Sequence, residues 1–123
     1  MTNGLDLSRA LVEAACEREG VREALPEEWF DTDDADYDPG SGRYFNVKER
    51  YIGPDLTLPS ELYNALRLAD AVADKAFPCD LKRVENGDFE AWMWNGINHY
   101  GYAPTRSAAV IAALCAALEI PND

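Results

Sequence analysis

The sequence predicts an α+β domain in which a small antiparallel sheet is sandwiched by about three helices, an α-β-α sandwich. Two segments repeat apolar residues every three or four positions, as amphipathic helices do. An Asn-Gly pair lies between two short segments that suit strands, which is the strongest local signal for a β-hairpin. A last segment is almost pure Ala, Val, Ile and Leu. The 123 residues fit a single domain spanning 1–123.

The first helix is predicted from Leu5 to about Glu19. Its apolar positions recur at helical spacing, and charged residues fill the other side. Gly20 ends the helix, and the segment from Val21 to Trp29 is interpreted as a short helical turn or loop.

An acidic loop is predicted at about residues 27–42. The segment carries seven carboxylates and no basic residue before its final turn, Asp38-Pro-Gly-Ser-Gly42. Turn-forming residues of this kind end a loop. The alternating pattern that follows predicts a first strand near Tyr44 to Arg50.

The second helix is predicted from about Ser60 to Lys75. Pro59 suits its first turn, because a residue there needs no N–H for the helix, and Pro78 ends it. A hairpin follows, with strands from Cys79 to Val84 and from Phe89 to Trp94 around the Asn-Gly turn.

The segment from Asn95 to Tyr102 remains open between strand and loop, because its two glycines and its aromatic residues favour opposite structures. The last helix is predicted from Thr105 to about Glu119. It is apolar nearly all round, so the sheet, another helix or a partner chain must cover it, and a homo-oligomer is one expectation.

Composition argues against two classes of partner. The chain has 23 acidic and 11 basic residues and a formal charge of -12. This charge repels phosphate backbones and anionic membranes, so we expect neither direct nucleic-acid binding nor membrane binding. The N-terminus lacks the regions of a signal peptide, and no apolar run suits a membrane span. We therefore expect a cytoplasmic protein.

Catalytic and metal-binding patterns are missing from the sequence. The three cysteines, Cys16, Cys79 and Cys115, are far apart and are predicted to be free buried thiols, with no metal site. The lone His99 could serve as a general base, and Ser107 as a nucleophile, but no motif completes a triad around them. No phosphate-binding loop or dinucleotide fingerprint is present. We expect a protein that is not an enzyme and carries no cofactor.

A ligand site is predicted where the last helix begins. Arg106 stands at this helix start, where free N–H groups favour anions, and two hydroxyl residues flank it. Aromatic residues just upstream could wall a pocket that stacks on a planar base. Two alternatives stay open: Arg106 pairs with a carboxylate, and the aromatic residues pack in the core. The candidate ligand-binding residues are Arg106, Thr105, Ser107, Asn98, Trp94 and Tyr102.

A partner site is predicted in the acidic loop. The spacing of Asp34, Asp36 and Asp38 is similar to that of the first ligands in a calcium-binding loop. However, Pro39 stands where that loop needs Gly, and Phe45 where it needs Glu. The segment is either a solvated loop or a surface that imitates nucleic-acid phosphates and occupies a basic groove of a protein. The candidate partner-binding residues are Asp31, Asp33, Asp34, Asp36 and Asp38.

Several short motifs between residues 27 and 119 resemble a known family. They are the Asp38-Pro-Gly turn before a strand, Leu58-Pro-Ser60 before Leu62-Tyr-Asn-Ala-Leu66, the hairpin with Trp92 and Trp94, and Ala103-Pro-Thr-Arg-Ser-Ala-Ala109. In these the chain resembles small phage proteins with the phage alpha-beta-alpha sandwich domain, and more distantly the NinX-like phage proteins.

The resemblance implies a phage or prophage accessory protein in the cytoplasm of a bacterial host. Some NinX-like relatives act as oligomeric sponges for the cyclic ADP-ribose signals of Thoeris defence, and their last helix opens with Asn-Pro-x-Arg-Ala-Ala. Pro104 and Arg106 match this pattern, while Ala103 replaces its Asn.

Two functions are therefore expected from the sequence. The first is a non-catalytic anti-defence protein that sequesters a nucleotide-like anion at Arg106. The alternative is an acidic inhibitor, similar to an anti-CRISPR protein, that binds a host defence protein through Asp31 to Asp38.

Overall fold

The structure, a computed structural model, describes residues 3–33, 36–45 and 48–121, with the backbone alone for residues 33, 44, 45 and 48. This part of the chain contains four α-helices: α1 Gly4–Cys16, α2 Val21–Ala24, α3 Leu62–Val72 and α4 Arg106–Leu118. It also contains seven strands: β1 Phe30–Asp33, β2 Asp36–Asp38, β3 Arg43–Phe45, β4 Lys48–Tyr51, β5 Asp80–Arg83, β6 Phe89–Trp94 and β7 Asn98–Ala103. Single 3-10 turns precede β1 and α3, at Glu27–Trp29 and Pro59–Glu61.

The predicted α+β class is confirmed. Strands β5, β6 and β7 form a three-stranded antiparallel sheet in that order, and β1–β4 and β2–β3 form two further antiparallel pairs among the described residues. The predicted hairpin is β5–β6, and its turn uses Gly87 at a φ of 89°, which the Asn-Gly pair supplies without strain. The segment that was open between strand and loop adds β7 to the sheet.

Helix α4 covers one face of this sheet. It packs along β6 and β7, and Gly101 of β7 makes the close approach possible. A Cβ at Gly101 would overlap the backbone of α4 at Ala109 and Ala113. Helices α1 and α3 contact α4 as well. The apolar surface of α4 is therefore covered within the chain, which removes the sequence argument for a homo-oligomer.

The helices lie on one face of the three-stranded sheet, whereas the sequence analysis expected helices on both faces. On the side of β6 and β7 that faces α4, Ala91, Met93 and Gly101 are buried, whereas every residue of these two strands on the second face is half-buried or exposed. The physical reason is the composition of α4. Because α4 is apolar nearly all round, it offers α1 and α3 a packing surface of its own.

The acidic segment is not the loop that the sequence predicted at residues 27–42. Strand β1 pairs with β4, and β2 pairs with β3, so main-chain hydrogen bonds order both acidic strands. Of the strand predicted near Tyr44 to Arg50, residues 44–45 belong to β3 and residues 48–50 to β4, and residues 46–47 lie outside the described part of the chain. Tyr51 anchors this region, because its buried ring packs edge-on against Trp29 and Phe30.

The first and third helices end earlier than predicted. Helix α1 ends at Cys16 rather than near Glu19, and α3 ends at Val72 rather than at Lys75. Ala73 is extended, and the N–H of Asp74 donates to the carbonyl of Trp94 at 2.9 Å. Because of this contact with the sheet, the helix ends before Pro78.

The cysteine prediction is confirmed in the main. All three thiols are free; Cys115 is buried, while Cys16 and Cys79 are half-buried. Burial raises the pKa of Cys79 to about 12 and that of Cys115 to about 11, so both remain protonated thiols near neutral pH.

Candidate binding surface on the open face of the sheet

Arg106 is the first residue of α4, and its side chain lies on the side of the sheet that this helix covers. Its exposed guanidinium sits 4.6 Å from the ring centre of Phe89. The two side chains line a groove of about 260 Å³ together with Pro59, Leu62, Pro104 and Thr105. No described carboxylate forms an ion pair with Arg106. The alternative in which a carboxylate neutralises it therefore finds no support in the described residues.

The two hydroxyls beside Arg106 serve the fold. Thr105 caps α4, since its Oγ1 accepts a hydrogen bond from the N–H of Ala108 at 3.2 Å. Ser107 is only 1% exposed, and its hydroxyl donates to the carbonyl of Pro59 at 3.4 Å. The sequence analysis placed the Ser107 hydroxyl in an anion cradle; the structure instead buries it against the turn before α3.

The other predicted ligand residues lie on the opposite face of the sheet. Trp94, Asn98 and Tyr102 alternate with the side chains that face α4. Trp94 is also at the far end of β6, five residues from Phe89, which corresponds to about 17 Å along a strand, and Asn98 lies opposite Trp94 on β7. The predicted pocket, with aromatic walls and Arg106 at its phosphate end, is therefore not formed.

The acidic residues of β1 and β2 hold local structure. Asp31 forms an exposed ion pair with Arg50 at 3.3 Å. Asp38 accepts hydrogen bonds from the hydroxyl of Ser41 and from the N–H of Gly40, which lower its pKa and shape the turn before β3. The side chain of Asp36 is exposed, whereas Asp34 and the side chain of Asp33 lie outside the described part of the chain.

The second face of the three-stranded sheet is the most distinctive surface of the molecule, and we call it the outer face. Tyr100 and Tyr102 are 48% and 58% exposed, although both belong to a paired strand. The ring of Phe77 packs edge-on against the rings of Trp92 and Trp94, with ring centroids 6.4 and 5.1 Å apart. The outer face comprises Phe77, Asp80, Lys82, Glu90, Trp92, Trp94, Asn98, Tyr100 and Tyr102.

Hydrogen bonds and an ion pair join the polar groups of the outer face to one another. The Nε1–H of Trp92 donates to Oδ1 of Asn98 at 2.8 Å. Glu90 accepts a hydrogen bond from Tyr102 and pairs with Lys82 at 3.3 Å, and these contacts lower the pKa of Glu90. Glu90 is therefore ionised at neutral pH, and the aromatic rings are held in place.

The middle of the outer face is concave. A pocket of about 270 Å³ lies there. The strand register places Trp92 opposite both Asp80 and Tyr100, and Glu90 opposite Lys82 in the next row. Two aromatic side chains with carboxylates beside them thus line this part of the outer face. These residues line the pocket: Asp80, Leu81, Lys82, Glu90, Trp92 and Tyr100.

His99 points to the α4 side of the sheet. Its Nε2 lies 2.8 Å from Oδ1 of Asn95, and burial together with the positive charge of Arg18 lowers its pKa. Within the described ranges, no cluster of three or more His, Cys, Asp or Glu side chains could hold a metal ion. None of the helices described combines the length and apolar character that crossing a membrane requires.

Sequence reasoning missed much of the outer face. It named Trp94, Asn98 and Tyr102, but not Glu90 or Phe77. The alternation of Trp92 with Trp94 and of Tyr100 with Tyr102 is a usable signal, because residues two apart share one face of a strand. Phe77 lies outside the strands, and no local pattern indicates that it packs there.

No family model matches the chain, and neither the curated proteins nor the solved structures yield a match. The resemblance to phage proteins, which rests on short motifs, stays a prediction.

Proposed function

We propose that this chain is a non-catalytic protein that acts by binding a protein partner through the outer face. The observation that carries the proposal is the exposure of Tyr100 and Tyr102 beside Trp92 on a sheet whose other face is covered by α4. Tyr and Trp are enriched in the centres of protein interfaces, where each buries a large area at a small cost in side-chain entropy.

The partner that suits this chain is positively charged. A net charge of -12 attracts basic surfaces and speeds their encounter, while it repels nucleic acids. Carboxylates of the outer face itself, at Asp80 and Glu90, would meet basic groups at close range. Binding should therefore weaken as salt screens these charges.

We place this binding in the setting that the phage resemblance predicts. The partner would then be a component of host defence in the bacterial cytoplasm, and the chain would be its inhibitor. The outer face, rather than Asp31 to Asp38, would make the central contacts, because Asp31 and Asp38 are engaged in an ion pair and a turn.

Site-specific photocrosslinking tests the proposal. A benzophenone amino acid is placed at Tyr100 and, as a control, at Tyr63 of α3, which is 72% exposed and lies outside the outer face. In bacteria that express the protein, position 100 should give a crosslinked adduct that position 63 does not. Mass spectrometry identifies the partner.

Affinity measurements with the purified partner complete the test. Tyr100→Ala should weaken binding by about tenfold or more, as interface aromatic residues do, and Tyr63→Ala should not. Equal adducts at both positions, no adduct at position 100, or full affinity of Tyr100→Ala would each contradict the proposal.

A second candidate is sequestration of a nucleotide-like anion in the groove at Arg106. It is favoured by the exposed guanidinium above Phe89, which has no described acidic partner. A thermal-shift screen with linear and cyclic nucleotides tests it. A ligand at 100 times its dissociation constant should stabilise the fold by about 2.7 kcal/mol, and Arg106→Gln should abolish the shift. A shift that persists in Arg106→Gln would rule out this groove.

A further inference from the structure

The pocket of the outer face combines two kinds of group that bind one kind of side chain. Trp92 and Tyr100 are opposite one another across β6 and β7, so their Cβ atoms are about 5 Å apart. Asp80 lies opposite Trp92 on its other side, and Glu90 is in the adjoining row. Electron-rich ring faces and carboxylates both attract a planar cation.

The charge in the pocket is only partly compensated. Oδ1 of Asp80 accepts the N–H of Leu81 at 3.0 Å, and no described group donates to Oδ2. Glu90 is 13% exposed and is held ionised, with Lys82 as its counter-ion. The pocket thus holds two carboxylates and one ammonium, and this ammonium pairs with Glu90 alone among the described residues, so that a cation from outside can approach Asp80 and compete with Lys82 for Glu90.

Elsewhere in the molecule, arginine side chains already stack on aromatic rings. Arg22 lies 3.8 Å from the ring centre of Phe30, and Arg106 lies over Phe89. In the part of the chain that the structure describes, none of the arginine–ring contacts involves Trp92 or Tyr100. The rings of Trp92 and Tyr100 are thus available to a cation of a partner, and Trp is the aromatic residue that attracts cations most strongly.

We propose that the pocket receives an arginine side chain of the protein partner, with the rings of Trp92 and Tyr100 against its guanidinium and Asp80 and Glu90 accepting its N–H groups. Arginine suits the pocket better than lysine, because its planar group stacks on rings and donates to two carboxylates at once. This inference rests on the proposed function and names the chemistry that the partner presents.

A peptide titration tests the pocket without the partner. The probes are triarginine, trilysine and tricitrulline peptides with blocked ends, and the signal is the indole N–H resonance of Trp92, assigned with Trp92→Phe. Citrulline has nearly the shape of arginine but no charge. Triarginine should shift the Trp92 resonance in a saturable way, and tricitrulline should not. Equal binding of trilysine would contradict the choice of a guanidinium.

Charge variants locate the binding. Asp80→Asn should weaken triarginine binding by about fivefold, whereas Glu13→Gln, which removes the same charge from an exposed position of α1, should change it less than about 1.5-fold. Lys82→Met should tighten binding by about threefold, because it frees Glu90 from its internal partner. Equal effects of Asp80→Asn and Glu13→Gln would overturn the assignment.

The crosslinked partner separates this inference from the proposed function. If Tyr100→Ala weakens partner binding but Asp80→Asn does not, the outer face is the interface and the pocket holds no arginine. If the pocket binds triarginine as expected but position 100 never crosslinks to a protein, the proposed function fails.

Discussion

The two faces of the three-stranded sheet are formed by alternating residues of the same strands, yet they have opposite characters. On the inner face, Ala91, Met93 and Gly101 are buried beneath α4. On the outer face, Tyr100 and Tyr102 project into solvent. Neighbours in the chain therefore serve different purposes, since successive side chains of a strand point to opposite faces.

This difference separates stability from binding. The inner positions that are buried beneath α4 are small or apolar because the helix lies against them, and a change in side-chain volume there alters stability. Outer positions are large, aromatic and only partly covered, so the fold gains little from them. Substitutions on the inner face should therefore lower the stability of the fold, and substitutions on the outer face should weaken binding of the partner.

Gly101→Val should have the largest effect on stability. Its side chain would overlap the backbone of α4 at Ala109 and Ala113, and a helix backbone cannot yield locally. We expect a loss of more than about 3 kcal/mol in urea denaturation. Tyr102→Val, one residue along the same strand but on the outer face, should cost less than about 1 kcal/mol. Similar losses for the two variants would contradict the distinction between the faces.

Met93→Ala should cost about 3 kcal/mol of unfolding free energy, because it leaves a cavity under α4. Ile97→Ala, in the exposed turn between β6 and β7, should change stability by less than about 0.5 kcal/mol. Thermal and urea unfolding measure both. A stable Met93→Ala protein would mean that α4 adjusts freely to the sheet.

Thr105→Ala should cost about 1 kcal/mol, because it removes the N-cap of the helix that covers the inner face. Thr105→Ser keeps the oxygen that accepts the N–H of Ala108 and should restore most of the loss. If Thr105→Ser and Thr105→Ala were equally unstable, the cap would not explain the effect.

Tyr100→Ala should cost less than about 1 kcal/mol of stability, the range of one cross-strand pair. Its effect should appear in partner binding instead. Unfolding curves of Tyr100→Ala and Tyr63→Ala should nearly coincide, and a large loss in Tyr100→Ala alone would show that its ring stabilises the fold.

The pH dependence through His99 should be the smallest effect. Its pKa in the folded protein lies below the value of about 6.5 for an unfolded chain, because of burial and the charge of Arg18. The unfolded chain thus binds more protons as the pH falls below about 6.5, and stability decreases in that direction. The decrease should be shallower in His99→Gln. Parallel curves of stability against pH for the unmodified protein and His99→Gln would contradict this role of His99.

The sequence predicts elements well where the signal is local. The hairpin around Asn86 and Gly87, the start of the last helix near Thr105 and the amphipathic stripes of α1 and α3 are all readable from neighbours in the chain. It failed at residues 27–42, because carboxylates disfavour strands locally, and pairing of β1 with the distant β4 outweighs that preference.

The candidate site was also predicted only in part, where the signal in the sequence is local. Aromatic residues at alternate positions indicate one face of a strand, but the sequence does not say whether a helix covers that face. Arg106 lies within four residues of Tyr102, yet the two side chains point to opposite sides of the sheet. Proximity in sequence suggested a shared pocket, and strand alternation separates them.

The most direct test of the account is the affinity of the Tyr100→Ala/Tyr102→Ala double variant for the partner that crosslinks at position 100, measured where unfolding curves show the variant to be folded. The account predicts affinity at least about tenfold weaker than that of the unmodified protein. An unchanged affinity in a folded variant would contradict the claim that the outer face is where this protein binds.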